Sequence, residues 1–159
     1  MWHAGVIEKG GSVLDYYKRF TDSLLTERLL SSGAVLIEGA NGCGKTETAM
    51  QISASVAKFD TDEQARIMMG IDPKMILVGA TPGLLDEWQE HPQIWNYVRR
   101  EVDDRKQKGQ FILTGSSTPD DEVRRHSGVG RFSVIKMRPM SRHDGTKYPG
   151  IHPTKHCVC

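Results

Sequence analysis

Long apolar runs are missing from this chain of 159 residues. The longest aliphatic stretches, Ala34 to Ile37 and Met75 to Val78, fall far short of the ~20 residues that cross a bilayer, so no membrane-spanning helix is expected. An excess of one charge is missing too. Lys+Arg number 21 and Asp+Glu 20, a formal net charge of +1, which gives no direct sign of nucleic-acid binding and no acidic solvating tail. Cysteine is scarce: of 3 residues, Cys43 stands alone and Cys157 and Cys159 close the chain, which is no disulfide framework. Met1 to Gly11 lacks an apolar stretch of signal-peptide length, so the expected location is the reducing cytoplasm. What is present is globular in kind: 38% hydrophobic residues before glycine is counted, and 26% charged. One domain is the default at this length, able to bury about two-thirds of the surface its unfolded chain exposes.

Strand-like and helix-like segments alternate. Ser12 followed by Asp15 reads as an N-terminal cap, and Leu14, Tyr17, Leu24, Leu25 and Leu29 recur near helical spacing until Gly33, a helix stop. Residues 1–33 are thus a helical lead-in. Ala34 to Glu38 is a short apolar run between glycines, as a fully buried strand requires. A helix from Lys45 would place Ala49, Ile52 and Val56 on one face. Met75 to Val78 and Leu84 to Asp86 are further strand candidates, the first equally the end of a helix. Pro92 opens an amphipathic helix with Ile94, Trp95, Val98 and Val102 as its stripe, the charges from Arg99 to Arg105 forming a solvated face. Phe111 to Thr114 and Phe132 to Met137 complete the strands. Alternation of this kind predicts an α/β fold, a mostly parallel β-sheet flanked by helices in three αβα layers, over residues 34–141. Residues 142–159 keep no period of two or 3.6 and read as an irregular tail. In that tail His152, His156, Cys157 and Cys159 match no usual zinc-finger spacing.

Chemistry concentrates at Gly39-Ala40-Asn41-Gly42-Cys43-Gly44-Lys45-Thr46, which fits the Walker A pattern between a strand and a helix. Successive backbone amides and a helix N-terminus direct partial positive charge at a β-phosphate, glycines let the backbone approach, and Lys45 adds a full charge. Thr46 is placed to put its hydroxyl on Mg²⁺. Cys43 inside this loop reads first as a small residue that fits and second as a thiol whose ionised form the loop would favour. Leu84-Leu85-Asp86-Glu87 has the Walker B form, an apolar strand end followed by two acids. Asp86 is expected to hold Mg²⁺ through water, and Glu87 to orient and deprotonate the attacking water. Alone, the same pair reads equally as a loop cap before Trp88. Phe111-Ile112-Leu113-Thr114-Gly115-Ser116 ends an apolar strand in hydroxyls; Thr114 is the first choice for a residue that senses the γ-phosphate, Ser116 the second. Arg131, carried between glycines and a strand, is a candidate for stabilising transition-state charge, with Arg124 and Arg125 behind it.

Taken in order, GANGCGKT, PGLLDEWQE, QFILTGSSTP and GRFSVIKMRPMS resemble a family of prokaryotic AAA-type ATPases in which an N-terminal P-loop domain precedes a C-terminal domain of unknown function. The likeness runs from about Leu29 to Ser141. It implies an ASCE-type P-loop NTPase fold, with ATP binding on Gly39 to Thr46, magnesium and catalysis on Asp86 and Glu87, and sensing on Thr114 or Ser116. Glu47 stands where family members often carry a second hydroxyl near the α-phosphate, and Asn41 and Gly42 replace larger loop residues. The family's C-terminal domain has no counterpart here, so the expectation is a truncated member whose sheet can be incomplete.

The function expected is a Mg²⁺-dependent ATPase, ATP plus water giving ADP and phosphate. A nucleotide-binding switch or remnant without turnover is the alternative, and a small P-loop kinase a third reading, disfavoured because Asp86-Glu87 suits water as the acceptor. ATP with Mg²⁺ is the ligand set expected; a protein partner or self-association stays open.

Overall fold

Five parallel strands and four helices follow from the burial pattern of the chain in its computed structural model, which describes residues 16–116 and 130–139. The expected cap at Ser12 and Asp15 lies outside the described residues. Helix α1 spans Phe20–Ser31 and starts where the Asp22 carboxylate accepts the Arg19 backbone N–H at 2.6 Å, an acid three residues into the helix closing its first turn. Gly33 follows as expected, with a packing reason the sequence does not display. A Cβ there would stand 2.2 Å from Val102 Cγ1.

Strand β1, Ala34–Glu38, is buried throughout, as its unbroken apolar run demands. Helix α2 is Lys45–Met50, shorter than the apolar spacing predicts. Its chain turns where Ser53 N–H donates to Ala49 O at 3.1 Å and Ala54 N–H to Pro82 O at 2.8 Å. Val56 therefore lies in strand β2, Ser55–Lys58, paired with Leu84 rather than on a helix face. Helix α3, Glu63–Ile71, is absent from the sequence reading; Asp62 caps it through the amides of Gln64 and Ala65 at 2.9 and 3.3 Å.

Pro73–Val78, expected as a strand or a helix end, is a 3-10 turn started by Pro73 and by Asp72 accepting the Lys74 amide at 3.0 Å. Only Leu77 of that segment is buried, whereas a central strand would bury it all. Strand β3 is Gly83–Asp86, helix α4 is Ile94–Arg105 and strand β4 is Phe111–Gly115, all near the expected bounds. In α4 the buried residues are Ile94, Trp95, Val98 and Val102, the expected stripe. Arg105 departs from a purely solvated face: its guanidinium donates to Leu77 O at 2.7 Å and lies over the Phe111 ring, tying α4 to the 3-10 turn. Strand β5, Phe132–Lys136, completes the sheet.

The strand order is β2-β3-β4-β1-β5, with every pairing parallel. Alternate side chains feed two cores, as period-two geometry requires. Val35, Ile37, Leu84, Ile112 and Ile135 face Leu25 and Leu29 of α1 and Ala49 of α2. Leu36, Leu85, Phe111 and Leu113 face Met69 of α3 and the α4 stripe, where Trp95 stacks on Phe132 with ring centroids 4.0 Å apart. The result is three layers, αβα. No helix among the described residues is long and apolar enough to cross a membrane.

Candidate functional site

Parallel strands end on one edge of the sheet, and the register decides which of those ends meet. Asp86 of β3 lies opposite Thr114 of β4, which lies opposite Ile37 of β1, one residue before Glu38. The chain leaving β1 at that edge enters the glycine-rich loop.

The loop conformation depends on its glycines in two ways. Gly42 and Gly44 have φ of 75° and 88°, a region that strains other residues. Gly39 is required by space, because a Cβ there would stand 2.3 Å from the carbonyl oxygen of Met137. Ala40, Asn41 and Gly42 form the exposed crest, while Cys43 is buried with Sγ 3.8 Å from Met137 O. That is the small, packed residue of the first reading. Lys45 folds back over the loop, its ammonium donating to Gly39 O at 2.9 Å and Ala40 O at 3.0 Å. Glu47 is exposed on the first turn of α2.

Thr46, Asp86 and Thr114 meet. The Thr46 hydroxyl donates to Asp86 Oδ1 at 2.7 Å, and the Thr114 hydroxyl donates to the same oxygen. Asp86 is 4% exposed and Thr114 fully buried, so the carboxylate has been taken out of water and held by two hydroxyls from two other elements. Glu87 follows in the left-handed region, φ 54°, which turns the chain sharply out of β3. Its Oε2 accepts a hydrogen bond from Gln89 Nε2. Ser116, partly exposed, lies just past β4 on the same edge.

Arg131 is not brought to this cluster. It precedes β5, whose first residue Phe132 is in register with Ala34 at the start of β1. The glycine-rich loop leaves the other end, about 16 Å away along a five-residue strand. There Arg131 pairs with Asp103 at 2.5 Å, and that hydrogen bond raises its pKa. The expectation that Arg131 lies near the γ-phosphate does not agree with this placement: residues before a parallel strand lie on the edge opposite those after it. Arg124 and Arg125 lie outside the described residues, as do the histidines and cysteines of the tail.

Three side chains at this edge carry no motif. Arg19, 8% exposed, donates through Nη1 to Cys43 O at 2.7 Å and through Nη2 to Arg138 O at 3.0 Å. Tyr16 links Asp22 to Thr48 of α2, and its phenol is pushed up to about 12, first by burial and then by the hydrogen bond to Asp22. Gln89 packs its amide against Gly115, where a Cβ would stand 2.3 Å from Oε1. A cavity of about 220 Å³ between α3, the 3-10 turn and the sheet, lined by Ala65, Met68, Met75 and Leu85, includes none of the expected site residues.

An all-parallel sheet with β4 between β1 and β3, a glycine-rich loop running from β1 into α2, and an acid at the end of β3 define a P-loop ATPase core of the AAA type. The family model described as AAA domain matches residues 31–144, most of the chain. The chain belongs to that family of nucleotide-binding ATPases. No curated protein matches it in sequence.

Proposed function

We propose that this chain binds ATP together with Mg²⁺ and hydrolyses it to ADP and phosphate. The observation that carries the proposal is the convergence of Thr46 and Thr114 on the buried Asp86 carboxylate beside the glycine-rich loop. A carboxylate and hydroxyls are hard oxygen donors. No cluster of three or more His, Cys, Asp or Glu suited to a metal occurs among the described residues. An incomplete, oxygen-only set fits Mg²⁺, which keeps several waters and takes the rest of its shell from phosphates. Thr46 and Asp86 are the residues that would hold it. When bound there, the ion supplies charge neutralisation to the phosphate oxygens.

The chain's own residues do the remainder. The amides of residues 39–46 and the start of α2 receive the β-phosphate, and Lys45 exchanges the carbonyls of Gly39 and Ala40 for phosphate oxygens. Glu87, turned out of β3 next to Asp86, takes the proton of the attacking water. Thr114 is committed to Asp86 and acts through it, which leaves Ser116 as the hydroxyl available to sense the γ-phosphate. Catalysis of this kind is positioning and electrostatics, with no covalent intermediate.

The test compares ATP binding and phosphate release in the wild-type chain and Glu87→Gln. Binding is expected to survive, with phosphate release slowed ~100-fold or more, the scale of a lost general base. Loss of binding in that variant, or undiminished release, contradicts the role given to Glu87. Binding without release in the wild type identifies a nucleotide switch instead.

A further inference from the structure

We infer that Arg19 is a positioning residue for the phosphate loop, presetting the Gly44 N–H to receive a phosphate oxygen. The inference rests on the nucleotide-binding reading above and adds a residue that no motif contains.

In a planar trans peptide the C=O and N–H point in opposite directions. The peptide joining Cys43 to Gly44 has its carbonyl held by Arg19 Nη1 at 2.7 Å. Its N–H, which belongs to Gly44, is therefore aimed away from the guanidinium. That N–H has no acceptor among the described residues, whereas the preceding Cys43 N–H is taken by Ala40 O at 3.3 Å. In the phosphate loop of that reading, a backbone amide without an acceptor is a donor left for an anion.

The clamp has a fixed anchor. Arg19 Nη2 donates to Arg138 O at 3.0 Å, and Met137 N–H donates to Glu38 O at 2.6 Å, so the second arm of the guanidinium rests on the end of the sheet. One planar fork thus joins the loop to β5. Gly44 fits this arrangement twice, by its φ of 88° and because a Cβ would stand 2.8 Å from Arg19 Nη1. Lysine, a point donor on a flexible stem, cannot span two carbonyls in this way, and methionine keeps the apolar volume without any donor.

Cys43-Gly44 is the one Cys-Gly pair in the sequence. Labelling cysteine carbonyls with carbon-13 and glycine amides with nitrogen-15 therefore gives a single correlated signal that reports both ends of this peptide. The wild type, Arg19→Lys and Arg19→Met are titrated with inorganic pyrophosphate and with Mg-ATP, with circular dichroism to check folding. In the wild type both ligands are expected to move the Gly44 amide. In Arg19→Met the Cys43 carbonyl signal shifts before any ligand is added, and both affinities fall about tenfold to a hundredfold, the loss of a charged hydrogen bond. Arg19→Lys falls between them.

A folded Arg19→Met chain with wild-type affinity for both ligands overturns the inference, as does an unmoved carbonyl signal. Should Arg19→Met not fold, Arg19→Lys decides by the same two readings. Arg19-dependent binding of pyrophosphate without any ATP binding sustains the clamp and sinks the ATP reading; Arg19-independent binding of ATP does the reverse. A wild type that binds neither overturns both.

Discussion

Asp86 is a carboxylate 4% exposed at the end of a buried strand, and its two hydroxyl partners explain how it is tolerated there. Burying a charge without hydrogen bonds would be prohibitive; two donors from different elements make it a fixed point of the site. Thr114 is the partner with no exposure, so its loss is not repaired by water. Thr114→Val keeps the shape and removes the donor, and it is expected to lower stability by about 1–3 kcal/mol. Urea denaturation midpoints at constant slope measure this, and an unchanged midpoint would show that the bond contributes nothing.

At the scale of elements, legibility largely followed burial. Strands β1, β3 and β4 read directly from the sequence because each is a short run buried throughout, and α4 because its buried stripe recurs at helical period; β5, an edge strand that buries only Ile135, was legible from its apolar residues rather than from burial. Strand β2 was not, since it is an edge strand with one exposed and three half-buried residues, and its Val56 falls at helical spacing by coincidence. Met75 to Val78 read as a strand or a helix end because its apolar residues are adjacent, yet Met75 and Val78 face solvent. Helix α3 was missed because it buries only Ala65 and Met69, too little to stand out as a helical stripe. In the site, the loop and the Asp86-Glu87 pair were legible as motifs. Arg19 was not, because it recognises two main-chain carbonyls brought together only by folding.

The loop itself makes a prediction at this scale. Gly39→Ala sets a Cβ against the Met137 carbonyl, a backbone atom that cannot swing aside, whereas Gly42→Ala meets nothing within 4 Å and suffers only its φ of 75°. Thermal unfolding is expected to show a larger loss for Gly39→Ala than for Gly42→Ala, whose strain is about 1–2 kcal/mol. Equal losses would contradict the packing of the loop against the end of β5.

The whole molecule has two ends, and a parallel sheet makes them chemically different. Everything that leaves a strand gathers at one edge, where Lys45, Thr46, Asp86, Glu87 and Thr114 stand; everything that enters a strand gathers at the other, where Arg131 pairs with Asp103. Sequence adjacency to a strand made Arg131 a candidate, and the direction of the strand places it on the edge opposite the glycine-rich loop. The cavity beneath α3 lies on a face of the sheet and borders none of the proposed nucleotide-binding residues.

Lys45 is the residue around which the proposed nucleotide site at this edge of the sheet is built. Calorimetric titration with ATP, with and without Mg²⁺, of the wild type, Lys45→Ala and Arg131→Ala tests it most directly. Mg²⁺-strengthened binding is expected in the wild type, the same affinity in Arg131→Ala, and no measurable binding in Lys45→Ala. Binding that persists without Lys45, or a folded wild-type chain that takes up no ATP, would contradict it.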